Sequence, residues 1–299
     1  EACRTADALI VRSASRVTAD LLAGAPRLKI VGRAGVGVDN VDLEAATARG
    51  VVVMNTPGGN AISAAEHTLS MLLSLVKNIP QAAASMKEGK WEKGRFLSTE
   101  LSGKTLGIIG LGRIGGEVAK RAKAFNLRIL VYDPYVSAER AEGMGVELVD
   151  LPDLYRQADF ITIHVPGTKE TKDLISAATI AQMKDGVRIV NCARGGIVNE
   201  ADLHHALASG KVAGAALDVF ATEPTTDSPL FALPTFISTP HLGAASEEAQ
   251  EAVAVEIAQQ VIDYLQRGII RNAVNRRSMR PACSVMKPMK MNKGTAANN

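Results

Sequence analysis

The sequence predicts an α/β protein built from two doubly wound, Rossmann-like domains, one large and one small. Short apolar runs alternate with helix-like segments along most of the chain. A length of 299 residues is where one core usually divides into two. A glycine motif also joins one apolar run directly to a helix. Strands that alternate with helices form parallel sheets, so ligands are expected at the carboxyl ends of the strands.

The first 57 residues predict the smaller domain. Apolar runs at 8–11, 28–31 and 51–54 are each followed by polar or glycine-rich segments and read as strands. Asp42 is expected to cap the helix that precedes the third strand. We therefore assign residues 1–57 to a three-stranded α/β unit.

Residues 58–241 predict the larger domain. A long helix over 62–77 comes first, and strands and helices then alternate. The seven predicted strands are 105–109, 127–132, 147–149, 160–164, 188–192, 212–217 and 236–238. A final helix over 246–267 is expected to return to the smaller domain, so that residues 242–275 complete that domain from the other end of the chain.

The glycine motif G-x-G-x-x-G lies between the strand 105–109 and a helix. Gly110 suits the tight turn, Gly112 lets the backbone approach a pyrophosphate, and Gly115 lets the helix pack on the strand. Asp133 ends the next strand about 20 residues further on, where a carboxylate binds ribose hydroxyls in dinucleotide sites. The motif in this context predicts dinucleotide binding.

Composition and charge weigh against several other classes of protein. The 34 basic and 31 acidic residues are interspersed and give a net charge of +3, which is not typical of a nucleic-acid-binding surface. The apolar runs are shorter than a membrane span needs. Three scattered cysteines predict neither a disulfide framework nor a metal site, and favour a reducing, cytoplasmic location. The basic tail 276–299 is expected to be disordered rather than a nucleic-acid arm.

Four polar side chains follow the ends of three successive predicted strands. We therefore expect one rim of the sheet to carry all four: Arg194, Asp218, Glu223 and His241. An arginine can hold a carboxylate with two parallel hydrogen bonds. A histidine paired with a carboxylate suits oxidation of a hydroxyl, because the imidazole takes the hydroxyl proton while hydride leaves for the nicotinamide.

The chain resembles the D-isomer-specific 2-hydroxyacid dehydrogenase family over about residues 7–275. In the larger domain the similar motifs are GLGRIG, Asp133-Pro134, NCARGGIVNE, AALDVFATEP and PHLGAAS. The first part of the chain adds VRSAS, GRAGVGVDNVD and NTPGGNAISAAEHT, which resemble the family's D-3-phosphoglycerate dehydrogenase branch in particular. By comparison with the family pattern, we expect the smaller domain in this sequence to lack its first strand and helix, and the tail 276–299 to match none of the family's additional domains.

The resemblance implies a set of site residues with NAD as cofactor and no metal. Arg194 would anchor the substrate, Glu223 would orient the histidine, and His241 would be the acid/base. The residues implied to bind NAD are Gly110, Gly112, Arg113, Ile114, Gly115, Asp133, His164, Val165, Pro166, Cys192, Ala193, Asp218, Gly243 and Ala244. Those implied to bind substrate are Arg12, Ser13, Arg33, Ala34, Gly35, Val36 and Gly37, with Arg12 and Arg33 on a phosphate and the amides of 34–37 on the carboxylate.

The implied reaction is NAD-dependent oxidation of 3-phospho-D-glycerate to 3-phosphohydroxypyruvate, the first step of serine biosynthesis. Reduction of glyoxylate or hydroxypyruvate, or oxidation of another D-2-hydroxyacid, is the alternative within this class. A corepressor-like protein that binds NAD is the alternative from another class. The resemblance also implies a homodimer or dimer of dimers formed through the NAD-binding domain around Trp91.

The remaining histidines and Cys192 receive simpler interpretations. We expect His164 to line the adenosine side as a structural residue, and His67, His204 and His205 to be surface or packing residues. Nothing local would activate Cys192 as a nucleophile.

Overall fold

The computed structural model describes residues 2–275. The strands are β1 (Ala8–Val11), β2 (Ile30–Arg33), β3 (Val52–Asn55), β4 (Thr105–Ile109), β5 (Arg128–Tyr132), β6 (Glu147–Leu148), β7 (Phe160–Ile163), β8 (Val187–Asn191), β9 (Val212–Leu217) and β10 (Phe236–Ser238). The helices are α1 (Ala19–Ala23), α2 (Leu43–Ala48), α3 (Ala61–Val76), α4 (Ile79–Lys87), α5 (Arg113–Ala122), α6 (Ala138–Gly143), α7 (Leu151–Gln157), α8 (Ala177–Ile180), α9 (Glu200–Ala208) and α10 (Glu247–Arg267). Short 3-10 turns lie at Ala2–Arg4, Lys93–Arg95, Lys123–Phe125 and Pro229–Ala232. The α/β fold class is confirmed.

The described chain divides into a smaller unit, residues 2–56 with 255–275, and a larger unit, residues 57–254. The sequence analysis assigned all of 242–275 to the smaller domain, whereas residues 242–254 group with the larger unit. The reason is local packing in the larger unit. Val253 is 5% exposed, and its Cγ1 lies 2.5 Å from where a Cβ on Gly59 would stand. The tail 276–299 lies outside the described residues.

The smaller unit holds a three-stranded parallel sheet in the order β1-β2-β3. Thr18 and Asp42 cap the two short helices, each accepting a hydrogen bond from a backbone amide three residues further on. β2 begins two residues later than predicted and therefore ends at Arg33. Ile257 of α10 packs against Gly32, its Cγ1 2.8 Å from where a Cβ would stand.

The segment after α10 covers the outer edge of β3. Ala273 forms an antiparallel bridge with Met54. The Asn275 side chain accepts a hydrogen bond from the Val53 amide at 3.0 Å and donates one to the Val51 carbonyl at 2.9 Å. Within the smaller unit, this return segment therefore satisfies backbone groups of an edge strand.

The larger unit is a seven-stranded parallel sheet in the order β10-β9-β8-β7-β4-β5-β6. After β6 the chain crosses to the other side of β4, so the strand order reverses between β4 and β7. Along β4, Leu106 and Ile108 belong to the core on one face and Ile109 to the core on the other. The sheet is thus covered on both faces, and its reversal point sets the crevice where ligands bind in this fold.

Within residues 2–275, no helix has the length and apolar character needed to cross a membrane.

Candidate active site

The glycine motif forms the turn between β4 and α5, and its three glycines differ in their surroundings. Gly110 has a φ of +97°, a conformation that side chains disfavour. A Cβ on Gly115 would overlap the carbonyl oxygen of Gly110, so this glycine allows the helix to approach the strand. A Cβ on Gly112 would meet no protein atom within 4 Å. Protein side chains do not fill the space beside Gly112, which fits a position where a ligand approaches the backbone.

The amino terminus of α5 lacks a side-chain cap. Gly112 is the N-cap residue, so the first-turn amides, including those of Arg113 and Ile114, receive no side-chain acceptor from it. A groove of about 440 Å³ runs along this helix, and its charged lining consists of one acidic side chain, Glu117, and four basic ones, Arg113, Lys120, Lys123 and Arg140. Uncapped amides and basic side chains together fit the pyrophosphate of NAD.

Asp133 ties the glycine turn to the end of β5. One carboxylate oxygen accepts a hydrogen bond from the Leu111 amide at 2.8 Å, and the other accepts one from Tyr135 at 2.9 Å. The carboxylate is therefore fixed beside the turn, as a ribose-binding residue requires.

The segment after β7 lies against the same turn. The carbonyl oxygen of His164 is 2.6 Å from where a Cβ on Gly110 would stand, and Val165 Cγ1 is 2.9 Å from it. The His164 ring bonds to Thr162, with Nε2 3.0 Å from Oγ1. His164, Val165 and the glycine turn, all predicted to bind NAD, are therefore neighbours, and His164 has a structural partner.

His241 and Glu223 form a hydrogen bond after β10. Nδ1 of His241 lies 2.7 Å from Oε2 of Glu223, and Oε1 of Glu223 accepts from the Phe220 amide at 3.0 Å. A carboxylate only accepts hydrogen bonds, so Nδ1 carries a proton, and in the neutral ring Nε2 then keeps a lone pair. The side chain of His241 is 47% exposed, which leaves that nitrogen in reach of a ligand. The arrangement can remove a proton from a hydroxyl.

Asp218 holds the turn that contains His241. Its side chain is fully buried, and it accepts hydrogen bonds from the Thr239 hydroxyl (2.6 Å) and from the amides of Leu242 (2.7 Å) and Gly243 (2.8 Å). Burial alone would raise the pKa of Asp218, but hydrogen bonds from His67, Thr239 and these two amides hold it below its usual value. Asp218 is therefore a buried anion in the structure.

His67 of α3 belongs to this cluster, which sequence reasoning missed. Its Nε2 lies 3.0 Å from Thr239 Oγ1 and 3.3 Å from Asp218 Oδ1. We expected a surface or packing residue because nothing local in α3 indicates a polar partner. The partners lie more than 150 residues away, so only the tertiary fold shows the contact.

Cys192 completes a group of three potential metal ligands with His67 and Asp218, all within 4.8 Å of one another. Desolvation, followed by the nearby Asp218 charge, raises the pKa of the Cys192 thiol to about 12. The thiol is therefore protonated near neutral pH, and Asp218 is already engaged by the turn. The chemistry of these donors favours a hydrogen-bonded cluster over a metal centre.

Arg194 sits in a turn that a buried asparagine holds. Asn191 donates to the Arg194 carbonyl at 2.9 Å and accepts from the Ala193 amide at 3.0 Å. A Cβ on Gly195 would overlap the Phe220 carbonyl, so the turn packs tightly on the loop before Glu223. Nη1 of Arg194 donates to the Ala193 carbonyl at 2.7 Å. Asn191 is a further positioning residue that the sequence alone did not single out.

The residues predicted to bind substrate lie at the carboxyl ends of β1 and β2 in the smaller sheet. Val11 pairs with Arg33, so Arg12, the next residue, follows the end of the neighbouring strand. Asn40 joins the two segments, because it accepts from Arg33 Nε at 3.5 Å and donates to the Arg12 carbonyl at 2.9 Å and the Ser15 carbonyl at 2.6 Å. The sequence analysis did not identify Asn40.

The glycine-rich stretch after Arg33 differs in part from expectation. The Ala34 amide donates to the Val11 carbonyl at 2.9 Å, and the Gly35 amide donates to Thr56 Oγ1 at 2.7 Å. Two of the four amides expected to receive a carboxylate are therefore engaged within the unit. Those of Val36 and Gly37 remain for that role.

Comparisons with known proteins indicate a single family. Residues 69–243 match the family described as D-isomer specific 2-hydroxyacid dehydrogenase, NAD binding domain. The D-3-phosphoglycerate dehydrogenase of Archaeoglobus fulgidus is 53% identical over 92% of this chain and 53% of its own length. That of Bacillus subtilis is 52% identical over 91% of this chain and 52% of its own length. The chain thus spans about half the length of the curated relatives it matches.

A solved structure supports the same grouping. The crystal structure of D-lactate dehydrogenase from Aquifex aeolicus, complexed with NAD and lactic acid, superposes with a TM-score of 0.81 at 32% identity. The match covers 92% of this chain and 88% of that one.

Proposed function

This chain belongs to the D-isomer specific 2-hydroxyacid dehydrogenase family, whose NAD-binding domain it contains, and we propose that it oxidises 3-phospho-D-glycerate to 3-phosphohydroxypyruvate. The 2.7 Å hydrogen bond between His241 and Glu223 carries the proposal, because it prepares a base for a hydroxyl proton. Curated relatives named D-3-phosphoglycerate dehydrogenase support this substrate. The reaction would be the first step of serine biosynthesis.

The proposed chemistry divides between three side chains. Nε2 of His241 takes the proton of the substrate hydroxyl, and Glu223 stabilises the imidazolium that forms. Arg194 binds the substrate carboxylate and orients the carbon that loses hydride. NAD, when bound, accepts that hydride, so that one proton and one hydride leave the alcohol and a ketone remains.

The proposed cofactor site follows the glycine turn. The amides at the start of α5, with Gly110, Gly112, Arg113, Ile114 and Gly115, would hold the pyrophosphate. Asp133 would bind the ribose hydroxyls and disfavour a 2′-phosphate, which selects NAD over NADP. The other residues assigned to NAD are His164, Val165, Pro166, Cys192, Ala193, Asp218, Gly243 and Ala244.

A phosphate on the substrate is supported by Arg12 and Arg33. Arg12 follows β1, and Arg33 is the last residue of the adjacent strand β2, beside the glycine-rich stretch. Two arginines beside such a stretch suit an anion. We assign the phosphate to these arginines, and the carboxylate also to the amides of Val36 and Gly37.

The test compares 3-phospho-D-glycerate with D-glycerate. We expect turnover to favour the phosphorylated acid, and Arg33→Ala to remove most of that preference without changing the Kd for NAD. Equal rates with both acids in the unmodified protein, or an unchanged preference in Arg33→Ala, would contradict the phosphate assignment. A panel containing glyoxylate, hydroxypyruvate and other D-2-hydroxyacids tests the alternative within the class, and NAD binding without turnover of any acid would favour a corepressor-like protein.

We also propose a cytoplasmic homodimer or dimer of dimers formed through the larger unit. Trp91 and Leu97 are 81% and 85% exposed, which supports an apolar surface that a second copy could cover. Analytical ultracentrifugation should show dissociation in Trp91→Ser, with the solvent-exposed Tyr135→Ser as the matched control. A monomeric unmodified protein would exclude the dimer.

A further inference from the structure

A cluster of buried polar side chains lies directly behind the His241 turn. Asp218 follows β9, Thr239 follows β10, and His67 reaches them from α3. The Asp218 residue is 1% exposed, and the His67 side chain is 19% exposed. The proposed chemistry of His241, Glu223 and Arg194 does not use His67.

The hydrogen atoms in this cluster can be assigned by counting donors. The Thr239 hydroxyl has one proton, and its 2.6 Å contact with the Asp218 carboxylate takes that proton. At the 3.0 Å contact between Thr239 and His67, the hydroxyl oxygen must then accept, so Nε2 of His67 is the donor. The same N–H also faces Asp218 Oδ1 at 3.3 Å. His67 thus holds both partners through one nitrogen.

Those partners fix the backbone on both sides of His241. The Asp218 carboxylate accepts from the amides of Leu242 and Gly243, and its backbone carbonyl accepts from the His241 amide at 2.8 Å. His241 itself has a φ of +57°, the left-handed conformation that residues other than glycine disfavour. A conformation of this kind persists only where its surroundings hold it.

We propose that His67 is a positioning residue that donates from Nε2 to Thr239 and Asp218 and thereby holds the turn that presents His241. The proposal adds a residue to the proposed active site, and its predicted effect on turnover rests on the proposed function. Its effect on the turn itself does not depend on any activity. A donor matters here because it polarises the Thr239 hydroxyl and so strengthens the hydrogen bond from that hydroxyl to Asp218. A buried carboxylate that loses a donor is also less stable as an anion.

The experiment compares His67→Gln with His67→Leu. Glutamine keeps an N–H donor near the position of Nε2, whereas leucine has similar bulk and no donor. Amide hydrogen exchange of Leu242 and Gly243, followed by NMR or mass spectrometry, reports on the turn. We expect exchange to rise about three- to tenfold in His67→Leu and to stay within about twofold in His67→Gln. His204→Leu, on α9, is the matched control and should leave exchange unchanged.

Kinetics supply the second readout. With 3-phospho-D-glycerate, kcat should fall about three- to tenfold in His67→Leu while KM for the acid changes less than about twofold, and His67→Gln should restore kcat. Thr239→Val removes the hydroxyl that accepts from His67, so it should also raise exchange at the Leu242 and Gly243 amides. Thr239→Ser keeps that hydroxyl and is the matched control. This second pair keeps the test decisive if His67→Leu fails to fold.

Two outcomes would overturn the proposal. One is unchanged exchange in folded His67→Leu or, where that variant does not fold, in Thr239→Val. The other is equal impairment of the glutamine and leucine variants, which would indicate shape rather than donation. An unmodified protein that turns over none of the acids, but shows the expected exchange pattern, would refute the proposed function and leave the positioning role of His67 intact.

Discussion

The glycine turn at Gly110–Gly115 and the turn around His241 lie in the same unit but are built in different ways. The first depends mainly on backbone geometry, since one glycine has a positive φ, one leaves open space and one permits close packing, and the Asp133 side chain adds one hydrogen bond. The second is held by side chains from α3 and from the residues that follow β9 and β10, with Asp218 at their centre. A local motif can therefore reveal the first turn, whereas the second depends on contacts that only the fold creates.

This difference predicts that substitutions at the two turns will affect different measurements. The largest effect is expected from His241→Gln, which removes the base and keeps a similar shape. Turnover should fall about 10²- to 10⁴-fold, the usual contribution of a positioned acid/base. The Kd for NAD, measured by calorimetry, should stay within about twofold. Unaltered turnover would refute the role of His241.

Within the glycine turn, Gly115→Ala and Gly112→Ala should separate packing from ligand approach. A Cβ at position 115 overlaps backbone, so we expect a loss of roughly 1–3 kcal/mol in unfolding free energy. A Cβ at position 112 meets open space, so stability should change by less than about 1 kcal/mol while the affinity for NAD falls at least about tenfold. Urea unfolding and calorimetry measure the two quantities. A Gly112→Ala variant with unchanged NAD affinity would contradict the assignment of that space.

The His241 turn should respond to Asp218→Asn with a loss of stability that depends on pH. At pH 7 we expect about 1–3 kcal/mol, because an amide cannot accept from all the donors that face the carboxylate. The folded pKa of Asp218 lies below its unfolded value, so its contribution is present above about pH 4 and is lost as pH falls through the folded pKa. The difference between the two proteins should therefore shrink only below about pH 4.

Urea unfolding at pH 7 and at pH 3 measures that difference. Asp150→Asn, which changes a helix-capping carboxylate elsewhere in the larger unit, is the control for general effects of acid. A difference that grows towards low pH would have the wrong sign for a carboxylate held as an anion.

The smallest effect is expected from Glu223→Gln. The amide oxygen can still accept from Nδ1 of His241, so the ring keeps a partner, and the NH2 group then faces the Phe220 amide in place of an acceptor. The negative charge that stabilises the imidazolium is lost. We expect turnover to fall roughly tenfold, about 1.4 kcal/mol in the barrier, without a change in NAD affinity. An effect as large as that of His241→Gln would mean that charge rather than orientation dominates the pair.

The sequence predicted most of the larger sheet and only part of the site. The bounds of β4, β9 and β10 match the prediction, because uninterrupted apolar runs between glycine, proline or polar residues define buried parallel strands well. The positions of Arg194, Glu223 and His241 followed from strand ends and from motifs. Their partners did not, because His67, Asn191 and Asn40 act through hydrogen bonds to distant residues or to backbone, which no periodicity records.

The division of α10 was beyond sequence reasoning for a related reason. Its amphipathic pattern runs from Glu247 to Arg267 without a break, so the pattern predicts a single helix that packs on a single domain. Residues up to 254 nevertheless group with the larger unit. A hydrophobic stripe shows that a face is buried and does not identify the surface that buries it.

The return segment at residues 272–275 also bears on how this protein should be handled in solution. An unpaired edge strand is a template on which other chains assemble, and Val52–Asn55 is an apolar strand of that kind. Asn275 and the bridge between Met54 and Ala273 occupy part of that edge. Proteolytic nicking near Asn272, or Asn275→Ala, should therefore increase the aggregation of concentrated samples on storage, well before any change at the His241 turn becomes measurable.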